Sequence, residues 1–502
     1  MTEKNYKILL WIAILLNFYL TLAITPLFNL DEGAFSEATR EMLLNHDFIT
    51  TYLNGDLRFD KPIFIYWFQA LSVSIFGLNE FALRLPSAIA GTFWAIGIYW
   101  FVKRLFDEKS AIFSAFFMVT ALQIGLIAKA AIADSLLNMF IAFSMFSLFI
   151  YIKEKNEKYL LLSFAFIGFG FLTKGPVAVL VPLATYFIYM AIKKDIKTFF
   201  KDIFNLKGIA IFLIIALPWY IAEYMAQGQK FIDGFFLKHN IGRFEHGLEK
   251  HTGSIFYFVP VLLLGLLPWT SLLIKYFVNL KDKLKQKDDF FLFGSIWFFF
   301  VFIFFSFAGT KLPHYVIYGY TPLFIFMGLY FKEIKSQFLL SLPLILFTIV
   351  LLFLPYIALK IFPSQKEEVQ LIIHSIFTYF DVSYFMILGV ILALLFVKTT
   401  KESKAMILGF SMIFILNYVG WIYAHAREIP IKDAAKYVTQ HNIKKVVMYH
   451  LNTPSFNVYA KMLVEKRDPK TGDIVITRVT KLKNYKYKTL FKEGIIIVAK
   501  IK

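Results

Sequence analysis

Apolar residues dominate the chain in runs of about 20, separated by short polar loops. A run of this length crosses a bilayer as an α-helix. The pattern predicts an all-α membrane bundle of about thirteen spans, near residues 7–28, 80–102, 110–128, 134–152, 158–173, 176–192, 208–226, 254–274, 289–308, 314–331, 337–357, 372–397 and 405–424. No small-residue cleavage site follows the first run, so it is predicted to be a retained helix.

The loops alternate between two kinds. One kind is short and rich in lysine, as at Lys103/Arg104, Lys153/Lys155, Lys193/Lys194 and Lys398/Lys401. The positive-inside rule places these loops, and the N-terminus, in the cytoplasm. Much of the net charge of +19 is therefore an orientation signal and an attraction to anionic lipid headgroups, which argues against a nucleic-acid partner.

The other loops then face outward, and they hold nearly all the unusual polar residues. These are Asp31, Glu32, Lys61, Asp134, Lys174, His239, Arg243, Lys311 and His314. Ionisable groups beside a bilayer are energetically expensive and mark functional sites. Span counting therefore predicts one site on the extracytoplasmic face.

The first outer loop, residues 29–79, is predicted to be structured. Ala34, Phe35, Ala38 and Met42 recur at helical spacing, as in an amphipathic helix at the membrane interface. The apolar segment 63–76 is too short to span comfortably and is predicted to be a second interfacial or re-entrant helix. The two would hold the intervening FDKP turn beside the lipid headgroups.

The composition changes near Arg427, where the apolar runs end. We divide the chain there into a transmembrane domain, 1–426, and a periplasmic α/β domain, 427–502. A helix is predicted at 431–441, with β-rich runs at 445–449, 473–477 and 494–499. This region has no glycine-rich phosphate loop and no metal-ligand spacing, and the whole chain has no cysteine.

Two acidic residues have both a structural and a chemical interpretation. Asp31 suits the N-cap of the interfacial helix, and it also suits a general base that activates or orients an acceptor. Asp134 suits a cap of the fourth span, or a second carboxylate that binds a sugar hydroxyl, an amine or a metal. The sequence leaves these alternatives open.

Three outer lysines lie in Gly/Pro-rich turns: FDKP, TKGP and GTKLP. A single lysine at a helix end usually snorkels to the interface. Three on one face of a bundle favour a phosphate clamp, and hence a phosphate-bearing lipid as ligand. His239 and His314, with a carboxylate such as Asp60, could bind Zn²⁺.

The motifs DEGAFSEATREML, LNGDLRFDKPIFIYW, GLNEFALRLPSAIAG, FLTKGPVAVLVP, FFLKHNIGRF and GTKLPHYVIYGYTPL occur in this order. Together they resemble the bacterial aminoarabinose-transferase family, which is related to the protein O-mannosyltransferases within the GT-C membrane glycosyltransferases. The resemblance covers about residues 29–322, and in outline the C-terminal region. It implies a GT-C fold and a glycosyltransferase that takes its sugar from a polyprenyl phosphate, without a nucleotide. The implied acceptor is lipid A, another envelope glycan or a protein.

The resemblance also implies roles for individual residues. Asp31, with its neighbour Glu32, would serve the acceptor, and Asp134 would be the second acidic residue. The donor phosphate would be bound by cations, here Arg58, Lys61, Lys174, Arg243 and Lys311. Zinc or another divalent cation would be held by Asp60, His239 and His314, although Asp60 stands where the family has Glu.

Two other classes of protein fit the same features. One is a transporter or flippase of lipid-linked sugars, which would need charged residues near the bilayer midplane. The other is a receptor or scaffold whose outer domain binds glycans without catalysis. The placement of the charges at span ends favours the transferase.

Overall fold

The computed structural model describes residues 2–242, 253–286, 288–361 and 367–502. The membrane part is almost entirely helical. Its helices are α1 (Glu3–Ile14), α2 (Asp31–Asn45), α3 (Phe64–Phe76), α4 (Glu80–Leu105), α5 (Glu108–Thr120), α6 (Leu122–Ile127), α7 (Asp134–Glu154), α8 (Glu157–Lys174), α9 (Val177–Ile192), α10 (Ile196–Ile203), α11 (Leu206–Gln227), α12 (Gln229–Phe231), α13 (Phe258–Gly265), α14 (Thr270–Lys285), α15 (Asp289–Phe307), α16 (Tyr320–Tyr330), α17 (Gln337–Ile361), α18 (Glu367–Phe377), α19 (Val382–Phe396) and α20 (Lys401–Arg427). Two π-helical segments, Leu15–Tyr19 and Ile232–Ile241, and two 3-10 helices, Pro313–Gly319 and Phe331–Glu333, complete this part.

Within the described residues, six helices are long and apolar enough to cross a membrane: α4, α7, α11, α15, α17 and α20. Helices α18 and α19 are bent by 73° and add a seventh span if they are counted as one. The chain is therefore a multi-pass membrane protein, but the predicted count of thirteen is not confirmed. Several predicted spans are short or broken helices, such as α5 with α6, α13 with α14, and the 16-residue α9.

Two of these broken helices meet at their breaks. Helix α5 ends at Thr120, and the N–H of Leu122 donates to the carbonyl of Leu267, which lies between α13 and α14, at 2.9 Å. The Trp269 indole donates to the hydroxyl of Thr120 at 3.0 Å. Irregular backbone at membrane depth requires such protein partners, because lipid tails offer no hydrogen bonds.

The first outer loop contains both predicted helices, α2 and α3. A small antiparallel hairpin, β1 (Tyr52–Leu53) and β2 (Asp56–Leu57), lies between them. Helix α2 is more buried than an interfacial helix, since every residue from Glu32 to Met42 is buried. Its buried charges have partners within the protein: Glu37 binds Arg40 at 2.7 Å, and Glu41 accepts from the Gly55 N–H at 2.9 Å.

Residues 429–502 form a C-terminal unit of helices and one mixed sheet. The helices are α21 (Ile429–Gln440) and α22 (Pro454–Ala460), and a 3-10 helix covers Val479–Leu482. The strands are β3 (Val447–Met448), β4 (Glu465–Lys466), β5 (Ile474–Arg478), β6 (Tyr487–Glu493) and β7 (Ile496–Ile501), in the order β4-β3-β5-β7-β6. Strand β3 is parallel to β4 and β5, whereas β7 is antiparallel to β5 and β6. The predicted helix and the three predicted strands correspond to α21, β3, β5 and β7.

The C-terminal unit is attached to the first outer loop by buried polar contacts. The Asn29 amide donates to Glu428 at 2.8 Å and to the Ser455 hydroxyl at 2.6 Å. The Tyr459 hydroxyl accepts from the Leu27 N–H at 2.7 Å and donates to Glu80 at 3.0 Å. These contacts join the N-terminal part of the chain to the C-terminal unit. The candidate site lies between these two parts.

Candidate functional site

A cavity of about 1470 Å³ opens between the first outer loop, the ends of several helices and the C-terminal unit. Large concave pockets with converging polar groups are the usual location of ligand sites. Eight of the eleven predicted site residues line it: Asp31, Arg58, Asp60, Lys61, Asp134, Lys174, His239 and His314. The predicted convergence on one face is therefore present as one cavity.

Asp31 presents an exposed carboxylate to this cavity. It is the first residue of α2 and does not cap the helix, whose N-cap position is Leu30. The Asp31 side chain makes no hydrogen bond or ion pair with any residue that the structure describes. A carboxylate without a protein partner can accept a proton or a hydrogen bond from a ligand.

Three cationic or titratable side chains of the described residues surround Asp60. It accepts from Arg58 at 3.2 Å and from Lys61 at 3.1 Å, and the His239 Nδ1 lies 3.3 Å from the same carboxylate. Lys61 also donates to the Asp60 carbonyl at 2.9 Å. Asp60 thus fixes the orientation of the two cations that the sequence assigns to phosphate binding.

Arg58 has more donors than partners. Its Nε and Nη1 are buried and bind none of the described residues, whereas Nη2 donates to Asp60. The guanidinium lies 5.1 Å from the centre of the Phe35 ring, a cation–π contact that holds its plane. Since unpaired buried donors are costly, two on a cavity-lining arginine indicate an anionic ligand.

Tyr66 is a buried neighbour of this set that the sequence did not identify, and it does not itself line the cavity. Its hydroxyl is buried and binds none of the described residues, and its ring stacks on Phe35 with centroids 5.3 Å apart. Burial raises the pKa of Tyr66 to about 12, with the Arg58 charge opposing, so the phenol keeps its proton. Tyr66 lies in the sequence KPIFIYW. The aromatic residues of this segment were interpreted as contacts with the membrane interface, so Tyr66 was not singled out.

The second acidic group, Asp134, lies in a buried cluster. Lys174 donates to it at 2.6 Å and the Tyr318 hydroxyl at 3.3 Å, while the His314 Nε2 is 4.0 Å away. Asp134 is the first residue of α7, and Ala133 occupies the N-cap position. Burial lowers the pKa of His314, with Asp134 opposing, which favours the neutral imidazole.

The predicted metal ligands are divided between these two carboxylates. His239 lies beside Asp60, and His314 lies beside Asp134. Among residues 2–242, 253–286, 288–361 and 367–502, no three His, Asp or Glu side chains form a group that could hold a metal ion. These residues therefore do not fit a three-ligand zinc site as placed, and the cation stays a prediction.

Two predicted site residues lie outside the cavity lining. Glu32 accepts from Arg84 through both oxygens, each at 2.8 Å, and from the N–H groups of Phe28 and Ala131 at 2.9 and 2.6 Å. The Lys311 ammonium is buried and donates to the carbonyls of Ser306 and Ala308 at 2.9 and 2.7 Å. Their placement corrects both assignments: Glu32 neutralises a buried arginine, and Lys311 caps the end of α15. Arg243 lies outside the described residues.

The C-terminal unit supplies a wall of the cavity that the sequence did not indicate. Its lining residues are Asn452, Pro454, Leu463, Val464, Glu465, Lys466 and Arg467. Lys238, in the π-helical segment next to His239, also lines the cavity. No local motif marks these positions, because their place in the cavity results from packing between distant parts of the chain.

Comparisons with known proteins agree with this architecture. Residues 60–221 match the family described as dolichyl-phosphate-mannose-protein mannosyltransferase. Over 315 residues the chain is 32% identical to the undecaprenyl phosphate-alpha-4-amino-4-deoxy-L-arabinose arabinosyl transferase of Yersinia enterocolitica. That match covers 61% of this chain and 56% of the Yersinia protein, so the chain spans just over half of that relative. An uncharacterised protein of Aquifex aeolicus is 29% identical over 62% of this chain and 69% of its own.

Comparison with solved structures shows the fold class of this chain. The apo oligosaccharyltransferase of Archaeoglobus fulgidus has a TM-score of 0.55 at 13% identity, covering 91% of this chain and 64% of its own. ArnT from Cupriavidus metallidurans bound to undecaprenyl phosphate has a TM-score of 0.83 at 18% identity, covering 99% of this chain and 98% of its own. The chain therefore has the GT-C type fold of ArnT, and the resemblance to the aminoarabinose transferases is confirmed.

Proposed function

We propose that this protein is an integral membrane glycosyltransferase that moves a sugar from a polyprenyl-phosphate donor to an envelope acceptor of the lipid A type. The observation that carries the proposal is one cavity in which Asp31, whose carboxylate binds none of the described residues, accompanies a cationic wall of Arg58 and Lys61. A phosphate leaving group and an oxygen nucleophile need these two kinds of group. The Yersinia relative and the ArnT complex are named for undecaprenyl phosphate, which supports this donor class.

The proposed reaction is a single displacement at the anomeric carbon of the donor sugar, with inversion. The acceptor oxygen forms a bond to that carbon while the bond to the phosphate oxygen breaks, and polyprenyl phosphate leaves with the electron pair. Lys61 and the N–H groups of Arg58 that bind no described residue would stabilise the charge on the leaving phosphate. No nucleotide takes part.

The role of Asp31 depends on the acceptor. A hydroxyl acceptor must lose its proton, which the Asp31 carboxylate would accept as general base. A phosphate acceptor is already ionised, and Asp31 would then chiefly orient it. Asp134, held by Lys174 at 2.6 Å, is the second carboxylate available to the sugar or the acceptor. A divalent cation at Asp60 and the histidines stays a prediction, and no step above depends on it.

The proposed orientation places the N-terminus in the cytoplasm and the cavity, with the C-terminal unit, in the periplasm. The lysine-rich loops support this orientation. In that arrangement the polyprenyl chain stays in the bilayer while its phosphate reaches the cavity from the outer leaflet.

The test is transfer by purified protein in detergent from an undecaprenyl-phosphate-linked sugar to a lipid A-type acceptor, followed by mass spectrometry. Detergent removes the membrane barrier, so a pure transporter would give no glycosylated product. The Asp31→Asn variant should fold with an unchanged melting temperature and lose transfer. Wild-type turnover in this variant would overturn the role of Asp31, and no product from the wild type with any lipid-linked sugar would overturn the transferase.

A further inference from the structure

Four lysines lie together on one face of the C-terminal sheet. Lys488 of β6 and Lys500 of β7 are direct partners in the antiparallel pairing of these strands. The Lys502 N–H donates to the Lys486 carbonyl at 2.8 Å, which continues the same pairing by two residues. Alternate residues of a strand point to the same face, so the two lysine pairs are neighbours there, about 7 Å apart along the strands. We call these four residues the lysine ladder.

The lysine ladder has no counter-charge among the described side chains. All four lysines are exposed, and none of their ammonium groups forms a hydrogen bond or an ion pair with a side chain that the structure describes. Asp473, just before β5, is bound by Arg467 at 2.6 Å, and Glu493 is at the far end of β6. Like charges directly opposite each other destabilise a sheet. The fold therefore carries a repulsion between Lys488 and Lys500 that these acids do not relieve.

The lysine ladder is remote from the cavity. Strand β4, which lines the cavity, is at one edge of the sheet, and β6 is at the other. Along the strands, Arg478 at the end of β5 binds Glu368 of α18 at 3.0 Å, whereas Lys500 pairs with Ile474 at the start of β5. The ladder thus lies at the corner of the sheet away from both the cavity and α18.

Protection of the sheet edge explains only part of the ladder. Lysines on an edge strand prevent unwanted pairing with another strand, and β6 is an edge strand. This accounts for Lys486 and Lys488. Strand β7 has neighbours on both sides, β5 and β6, so Lys500 protects no edge and faces another lysine instead. The pair of Lys488 and Lys500 needs a different reason.

We propose that the lysine ladder and the outer edge of β6 bind an extended acidic segment of a partner protein, which adds to the sheet as a further strand. The backbone of β6 at this edge has no neighbouring strand in the described part of the chain. A strand added there would form main-chain hydrogen bonds, and the side chains of its alternate residues would lie on the lysine face. Carboxylates at every second residue repeat at about 7 Å, the same spacing as the lysine pairs. The inference does not depend on the proposed transferase function.

The experiment measures peptide binding to the full chain in detergent by fluorescence anisotropy. One labelled peptide alternates Glu and Thr over eight residues, and the other has the same composition with four Glu before four Thr. Only the alternating peptide places every Glu on one face of a strand. The test variant is Lys488→Gln with Lys500→Gln, and Lys488→Arg with Lys500→Arg keeps both charges.

The matched control is Lys461→Gln with Lys492→Gln. It removes the same number of charges from exposed lysines of the C-terminal unit that are not part of the ladder. Lys492 is on β6 itself but pairs with Ile497, on the other face of the sheet.

The wild type should bind the alternating peptide about tenfold more tightly than the block peptide, a difference of about 1.4 kcal/mol. The Gln pair should lose this preference, whereas the Arg pair and the matched control should keep it. The Gln pair should also keep its melting temperature, because it removes a repulsion, and its transfer activity, because the ladder lies outside the cavity.

Three results would overturn the proposal. Equal affinity for both peptides would mean a general attraction of any polyanion, and equal loss in the Arg pair would mean a structural role. The third is a wild type that binds neither peptide. None of these results bears on the transferase function, which is tested by product formation.

Discussion

Asn54 and Val464 form a reciprocal pair of hydrogen bonds, each 2.8 Å long. The Asn54 amide donates to the Val464 carbonyl, and the Val464 N–H donates to the Asn54 side-chain oxygen. Asn457 donates to the same oxygen at 2.8 Å. The tip of the β1–β2 hairpin thereby holds the segment of the C-terminal unit that lines the cavity, more than 400 residues away in the sequence.

Asn54→Ala should loosen this wall. The substitution removes both bonds and leaves the buried backbone of Val464 unpaired, at a cost of about 1–3 kcal/mol. It also places alanine at a φ of 59°, a left-handed conformation that asparagine tolerates better. Hydrogen exchange of residues 452–467, measured by mass spectrometry, should rise.

Asn54→Gly is the control for the backbone effect, since glycine adopts this φ freely but cannot make the bonds. It should show the same rise in exchange with a smaller loss of melting temperature. Wild-type exchange rates in both variants would mean that other contacts, such as those of Asn29 and Tyr459, are sufficient to hold the wall.

Glu32→Gln should unfold the protein at a lower temperature. Glu32 is 3% exposed and compensates the charge of Arg84, which is 1% exposed. Breaking a buried ion pair from one side typically costs about 3–5 kcal/mol, because the remaining charge has no counterion. The measurement is thermal unfolding in detergent.

The matched control is Glu154→Gln, which breaks an exposed pair with Arg104. Exposed pairs contribute about 0–1 kcal/mol, so this variant should keep the wild-type melting temperature. A Glu32→Gln protein that is as stable as this control but inactive would restore Glu32 to the catalytic group.

The contrast between Asp31 and Glu32 shows what the sequence could predict about the site. Charge and span counting predicted that both residues lie on the outer face, and the structure places both in the first turn of α2. Successive residues of a helix point about 100° apart, so one faces the cavity and its neighbour faces Arg84. The sequence could not show which of the two faces the cavity, because Arg84 lies in α4 and its pairing depends on tertiary packing.

In the C-terminal unit, too, some features could be predicted from the sequence and others could not. Strands β5 and β7 have apolar runs and were predicted, whereas the edge strand β6 reads YKTLFKE and has no such run. An edge strand has one neighbouring strand and carries charged residues at its exposed positions. Its sequence therefore lacks the apolar run by which a buried strand is recognised. The cavity wall of residues 452–467 was missed because a cavity between distant segments leaves no local periodicity.

Lys311→Met should lower stability without changing donor binding. The Lys311 ammonium donates to two carbonyls at the end of α15, and methionine keeps the aliphatic volume but makes neither bond. We expect a loss of about 1–3 kcal/mol with the donor KM unchanged. Lys61→Met, measured in parallel, should raise the donor KM by about tenfold or more, and a similar rise for Lys311→Met would return that residue to the donor site.

Tyr66→Phe tests whether the donor phosphate fills the space beside Arg58. The Tyr66 hydroxyl is buried and binds none of the described residues, so its removal should leave stability unchanged or raise it by about 1 kcal/mol. Tyr384→Phe is the structural control: Tyr384 is equally buried, but its hydroxyl donates to the Leu351 carbonyl at 2.6 Å, and its loss should cost about 1 kcal/mol. If a phosphate bridges Tyr66 and the free N–H groups of Arg58, the donor KM of Tyr66→Phe should rise several-fold while its melting temperature does not fall. A lower melting temperature with an unchanged donor KM would instead mean that the hydroxyl supports the fold, and the phosphate would then have to bind at Lys61 without Tyr66.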